Sequence, residues 1–276
     1  MSDAFTQVPV VRIMDGGQRS ELSDMTAAEV PLEVRLQGAP FGVIMRTPGA
    51  DIPLVAGFLL AERLVRGADD LATIEHCTDQ PGLTTQQRGN IVTVVLEADA
   101  AVRAAGQLSE KRHVLANSAC GVCGRATLES MRTGLEPVPA HARVPAAVMA
   151  GLPARLREQQ PLFDRTGGLH AAGIFTCAGD LLASAEDVGR HNAVDKAIGT
   201  MLLRDALPLG ASALCVSGRT SYEIVQKAWC AGIPLVVSVS APSSLAVSLA
   251  RDANMTLVGF VRDGSLNIYT GAERIV

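Results

Sequence analysis

From Pro31 to Met45 apolar and polar positions alternate: Leu32, Val34 and Leu36, then Phe41, Val43 and Met45, with Gly38-Ala39-Pro40 between them. A period of two marks strands with one buried face, so this stretch predicts two strands around a turn. The spacing becomes helical from Leu54 to Leu64, after Pro53, with Asp51 expected as the cap. Asn90 to Glu97 is a short Val/Ile/Thr strand, and Ala126 to Arg132 predicts a short helix ending at Gly134. The first half therefore reads as β-rich. Between Glu136 and Leu156 the chain is rich in Pro and Ala, and its first prolines make it the best boundary candidate.

The second half is more regular. His170 to Phe175 and Asp180 to Ala185 predict two strands joined near Gly179. Asn192 to Arg204 predicts a helix with Ala193, Ala197, Ile198 and Met201 on one face. A buried strand (Ala213 to Ser217), a helix (Tyr222 to Ala231) stopped by Gly232, a β-branched strand (Pro234 to Ser240) and a helix (Ser244 to Ala253) follow. Met255 to Val261 and Leu266 to Thr270 close as a hairpin across Asp263-Gly264, a pair suited to a type I′ turn. This order predicts an α/β fold, a mixed sheet flanked by helices with mostly parallel crossovers, beside a smaller β-rich N-terminal part. The expected division is 1–140, carrying the cysteine pair, and 141–276.

Composition narrows the function classes. The chain has 276 residues, 48% apolar and 19% charged, with a net charge of −4. That supports a sizeable core and argues against a nucleic-acid-binding surface. Nothing at the start reads as a signal peptide, and no stretch has the ~18–20 apolar residues of a membrane span. A cytoplasmic protein is expected, with no membrane association. Six cysteines with one close pair do not make a secreted disulfide framework. Cys77, Cys177, Cys215 and Cys230 are expected to be small core residues.

Chemistry is expected at the carboxyl ends of the strands, where α/β sheets collect ligands. Three polar turns stand there: Glu186 to Asn192, Ser217 to Ser221 and Ser240 to Ser244. The last two place hydroxyl groups beside helix amino ends, which attract anions, and Arg219 could add a bidentate phosphate contact. The same hydroxyls are also ordinary N-caps. The glycines of Gly167 to Gly173 precede a strand, so they mark a tight approach or bulge and not a dinucleotide fingerprint. His170 and His191 are site candidates that could equally be structural, and Arg262 could present a cation beside the Asp263-Gly264 turn.

The pair Cys120-Gly-Val-Cys123 leaves three readings open. A structural zinc site lacks its remaining ligands, so no metal ion is expected. A dithiol oxidoreductase would set the pair at the start of a helix after a strand, and here it lies in a glycine-flanked, mid-chain segment. A nucleophilic thiol fits the bare flanks of Gly121 and Gly124 and the nearby charges of Lys111, Arg112 and Arg125. Such a thiolate can take the outer sulfur of a donor persulfide, with Cys120 as carrier and Cys123 as helper.

Five segments in order, Asn117 to Gly124, Thr166 to Gly173, Glu186 to Lys196, Ser217 to Ser221 and Gly259 to Thr270, resemble the formate dehydrogenase accessory sulfurtransferase family, FdhD. The resemblance implies a carrier that accepts sulfur from a cysteine desulfurase and sulfurates the bis(molybdopterin guanine dinucleotide) molybdenum cofactor. The cofactor, bound as cargo, then enters formate dehydrogenase. It assigns the persulfide to Cys120 with Cys123 as partner, and cofactor contact to Phe260, Val261, Arg262, Asp263, Gly264 and Ser265. It further implies a homodimer and a cytidine-deaminase-like fold for the C-terminal domain. Deaminase chemistry is not expected, because His170 is not followed two residues later by glutamate and no proline precedes a downstream C-x-x-C. Two other functions remain: a molybdenum cofactor chaperone without thiol chemistry, and a dithiol oxidoreductase.

Overall fold

The structure is a computed structural model that describes residues 4–77, 84, 89–111, 136–139 and 142–276. Cys120, Cys123, the helix expected over 126–132 and the expected division at 140/141 lie outside the described residues.

Three sheets form. Strands β1 (Phe5–Ile13) and β2 (Arg19–Ala27) make an antiparallel ribbon. Strands β3 (Val30–Leu36), β4 (Ala39–Arg46), β5 (Leu71–His76) and β6 (Ile91–Leu96) make a four-stranded sheet in the order β4-β3-β6-β5. Strands β7 (His170–Thr176), β8 (Leu181–Asp187), β9 (Ser212–Val216), β10 (Leu235–Ser238), β11 (Thr256–Arg262) and β12 (Ser265–Thr270) make the third, in the order β12-β11-β10-β9-β7-β8. Only β9, β10 and β11 run parallel; β7, β8 and β12 are antiparallel to their neighbours. The helices between β8 and β9, β9 and β10, and β10 and β11 each join strands that run the same way, in line with the expected parallel crossovers, while the β7–β8 and β11–β12 hairpins form the two edges.

Among the described residues seven α-helices accompany the sheets: α1 (Asp51–Ala61), α2 (Ala98–Lys111), α3 (Ala146–Arg157), α4 (Pro161–Thr166), α5 (Arg190–Leu203), α6 (Tyr222–Cys230) and α7 (Ser244–Asp252). Alternation along the third sheet separates two apolar layers. Ala172, Ile174, Leu214 and Val236 face α1, α5, α6 and α7, while Ala171, Phe175, Ala213 and Val237 face Met149, Leu152 and Leu156 of α3. The first layer is continuous with Leu32, Val34, Val92 and Val94 of the four-stranded sheet.

Helices α1 and α5 cross in near backbone contact. A Cβ on Gly199 would lie 1.9 Å from the Pro53 carbonyl oxygen, and one on Gly57 would lie 2.1 Å from that of Asp195. Asp51 does not cap α1. Ala50 holds the cap position in a left-handed conformation, and the Asp51 carboxylate instead accepts two bonds from buried Arg46, at 2.9 and 2.8 Å. The closing turn forms as expected, with φ of 51° at Asp263 and 74° at Gly264.

Candidate functional site

The carboxyl ends of the parallel strands open on a cavity of about 750 Å³. Ser217 follows β9, Val239 follows β10, and Val261, Arg262 and Asp263 end β11; His170 starts antiparallel β7 at the same edge. Helices α3 and α4 form the opposite wall through Leu156, Arg157, Gln160 and Phe163, and Gly167, Gly168 and Leu169 close it. Three of the segments singled out in sequence thus meet here: the glycine run ending in His170, the turn after β9, and the closing hairpin.

Local chemistry explains how each wall is set. Gly167 ends α4 at φ 64°, and Gly173 lets the Phe175 ring pass, since a Cβ there would lie 2.7 Å from it. The Ser217 hydroxyl accepts a bond from Ala171 N at 2.8 Å, fixing the chain just after His170. Gly218 gives the imidazole room, because a Cβ at that position would lie 3.2 Å from His170 Nδ1. Burial, with the charge of Arg190 second and His191 third, holds His170 below the ordinary histidine range, favouring a neutral ring at neutral pH.

The six hairpin positions divide. Val261, Arg262 and Asp263 line the cavity; Val261 is buried while Arg262 and Asp263 are exposed. Phe260, at φ 53°, Gly264 and Ser265 lie outside the lining. Phe260 N donates to Ser240 O at 3.2 Å, and the Arg262 guanidinium sits 5.7 Å from the Phe260 ring. The hairpin base is thereby pinned to the turn after β10.

The polar turns proved mostly structural. Ser243 caps α7 by accepting from Ala246 N at 3.2 Å. Ser221 makes no cap bond, and its hydroxyl meets His191 Nε2 at 3.0 Å. His191 Nε2 also lies 2.9 Å from the Glu223 carboxylate, so this histidine is held between α5 and α6. Arg219 is exposed and makes no hydrogen bond or ion pair among the described residues.

Within Glu186 to Lys196, Asp187, Asn192 and Lys196 tie the six-stranded sheet and α5 to the chain between β4 and α1. Glu186 caps α4 by accepting from Leu162 N and Phe163 N at 2.9 and 2.7 Å. Asp187 accepts from Thr47 N, Gly189 N and Asn192 Nδ2 and pairs with Lys196 at 2.7 Å. Lys196 also donates to Thr47 O at 2.8 Å, and Asn192 to Met45 O at 2.7 Å. Of the four lone cysteines, only Cys215 is fully buried, which pushes its thiol up; Cys77, Cys177 and Cys230 are half-buried.

Two groups escaped the sequence reading. Gln160 lines the cavity with no motif around it, and Glu223 is buried against His191. Among the described residues no group of three or more His, Cys, Asp or Glu side chains could hold a metal ion, and no helix is long and apolar enough to cross a membrane.

Comparison with known proteins agrees along nearly the whole chain. The FdhD/NarQ family model matches residues 27–276. Sulfur carrier protein FdhD of Nocardia farcinica is 48% identical over 270 residues, covering 96% of this chain and 93% of that protein. The Streptomyces coelicolor protein of the same name is 47% identical over 273 residues, covering 96% and 94%. A crystal structure from Desulfotalea psychrophila, assigned as a formate dehydrogenase accessory protein, matches with a TM-score of 0.77 at 26% identity, over 99% of this chain and 100% of that one. With a family model spanning residues 27–276 and relatives at nearly half identity, this chain belongs to the FdhD/NarQ family.

Proposed function

We propose that this protein is a sulfur carrier that delivers persulfide sulfur from Cys120 to a molybdenum cofactor held at the carboxyl edge of the six-stranded sheet. The observation that carries the reading is the cavity of about 750 Å³, in which two sequence-distant family segments converge beside the closing hairpin. The names of the relatives, sulfur carrier protein FdhD, support the first half of the statement. The donor is a cysteine desulfurase, and the acceptor is the bis(molybdopterin guanine dinucleotide) form of the cofactor. The recipient of the sulfurated product is formate dehydrogenase. Phe260 to Ser265 contact the cofactor, with Arg262 available to its phosphates.

The chemistry balances in two exchanges. The Cys120 thiolate attacks the outer sulfur of the donor persulfide; an S–S bond forms on Cys120 and the donor cysteine leaves as thiolate. Cys123 then attacks the inner sulfur, forming the Cys120–Cys123 disulfide and expelling hydrosulfide toward the metal. A dithiol reductant restores the pair. No resident metal ion takes part in these exchanges.

The remaining features belong to the same proposal. The chain divides near 140/141 and acts as a cytoplasmic homodimer, and the six-stranded sheet with its helices follows the deaminase plan without deaminase chemistry. A Cys120→Ala variant tests the reading in cells. Formate dehydrogenase is then made and loaded with molybdenum but inactive; full activity would contradict it. A chaperone without thiol chemistry predicts full activity, and a purely oxidoreductive role predicts that Cys120 gains no sulfur from the donor.

A further inference from the structure

The polar groups of the cavity are nearly all committed. Arg157 is paired with Asp164 and lies over the Phe163 ring, 5.0 Å from its centre. Ser217 holds Ala171 N, and the His170 ring is seated against Gly218. Arg262 and Asp263 stand in solvent at the rim. Gln160 differs from all of them: it lines the cavity, is only 4% exposed, and its side-chain amide makes no hydrogen bond among the described residues.

The reason is local. Gln160 occupies the N-cap position of α4, where a side chain would ordinarily bond the free N–H groups of the first turn. Here the Glu186 carboxylate, arriving from β8, takes those groups at Leu162 and Phe163. The Gln160 amide is thereby released from capping. Its amide atoms are not among the buried groups left without a partner, so they are open to the cavity, where a planar ligand carrying a donor beside an acceptor can bond them. Around it, Leu156, Phe163, Leu169 and Val239 supply apolar surface suited to the faces of a flat ring.

We propose that Gln160 is the specificity residue of this cavity, reading the amide edge of a flat 2-amino-4-oxopyrimidine ring, the edge shared by guanine and pterin. Its carbonyl oxygen accepts from the ring N–H and its NH2 donates to the adjacent ring carbonyl. The assignment rests on the reading of the cavity as the seat of the cofactor, which carries both rings.

Titration calorimetry of the full chain with GMP and, separately, with free pterin tests it. Gln160→Met keeps length and volume while removing both hydrogen-bonding groups. The expected result is binding of at least one probe to the unaltered protein, weakened about 10-fold in Gln160→Met, as the loss of two neutral hydrogen bonds implies. Loss with GMP alone assigns the subsite to guanine and loss with pterin alone to pterin; either supports the proposal. Equal affinity in both proteins overturns the role of Gln160 and leaves the cavity reading standing. No binding of either probe to the unaltered protein overturns both. Gln160→Leu repeats the comparison with a second apolar side chain, and an unchanged thermal midpoint shows that the fold is kept.

Discussion

Lys196 is 3% exposed, and its ammonium group meets the fully buried Asp187 carboxylate at 2.7 Å. Both charges are out of water, and each is completed by further hydrogen bonds to the β4–α1 turn or the start of α5. Removing one member strands the other, at a cost of ~3–5 kcal/mol. Lys196→Met should therefore lower the urea midpoint strongly, and an unchanged midpoint would show the pair to be dispensable. In the sequence this segment reads only as a polar turn near a ligand. Its structural duty was not legible because Thr47, the partner of Asp187, lies 140 residues away. Local spacing reports which residues share a turn, and it is silent on what they reach across the fold.

At the scale of elements, periodicity was informative wherever one face is buried. Strands β3, β4 and β6 and helix α1 follow from apolar spacing, and the central strands β7, β9, β10 and β11, buried on both faces, from continuous apolar runs. Strands β1 and β2 were missed for the opposite reason: the ribbon has no fully buried position to leave a pattern. Helix α3 was obscured by Pro145 and Pro153 and by alanines, which mark neither face clearly, although Met149, Leu152 and Leu156 anchor it. The α1–α5 crossing was equally hidden, since glycine in a helix pattern looks only like a weakness. Its role is to admit a backbone. A Gly199→Ala methyl would sit 1.9 Å from Pro53 O, so the helices must separate. Overpacking of this kind costs ~1–3 kcal/mol, sometimes more. A clear fall in thermal midpoint is expected, and an unaltered one would mean that the crossing yields freely.

For the molecule as a whole, the sequence marked the ends of the proposed reaction better than its middle. The cysteine pair and closing hairpin stand out as motifs, and three of the six hairpin positions do reach the cavity wall. Gln160 carries no such mark, because its freedom depends on Glu186 arriving from another strand to cap α4. The fold supplies a concave, mostly apolar seat with cationic groups at its rim, as a large anionic cargo requires. The proposed function makes this a carrier, and not merely a container, through covalent sulfur on Cys120. Intact mass spectrometry after incubation with a cysteine desulfurase and cysteine measures that directly. The account predicts a gain of one sulfur atom that reductant removes and Cys120→Ala abolishes; an unchanged mass, or the same gain in Cys120→Ala, would contradict it.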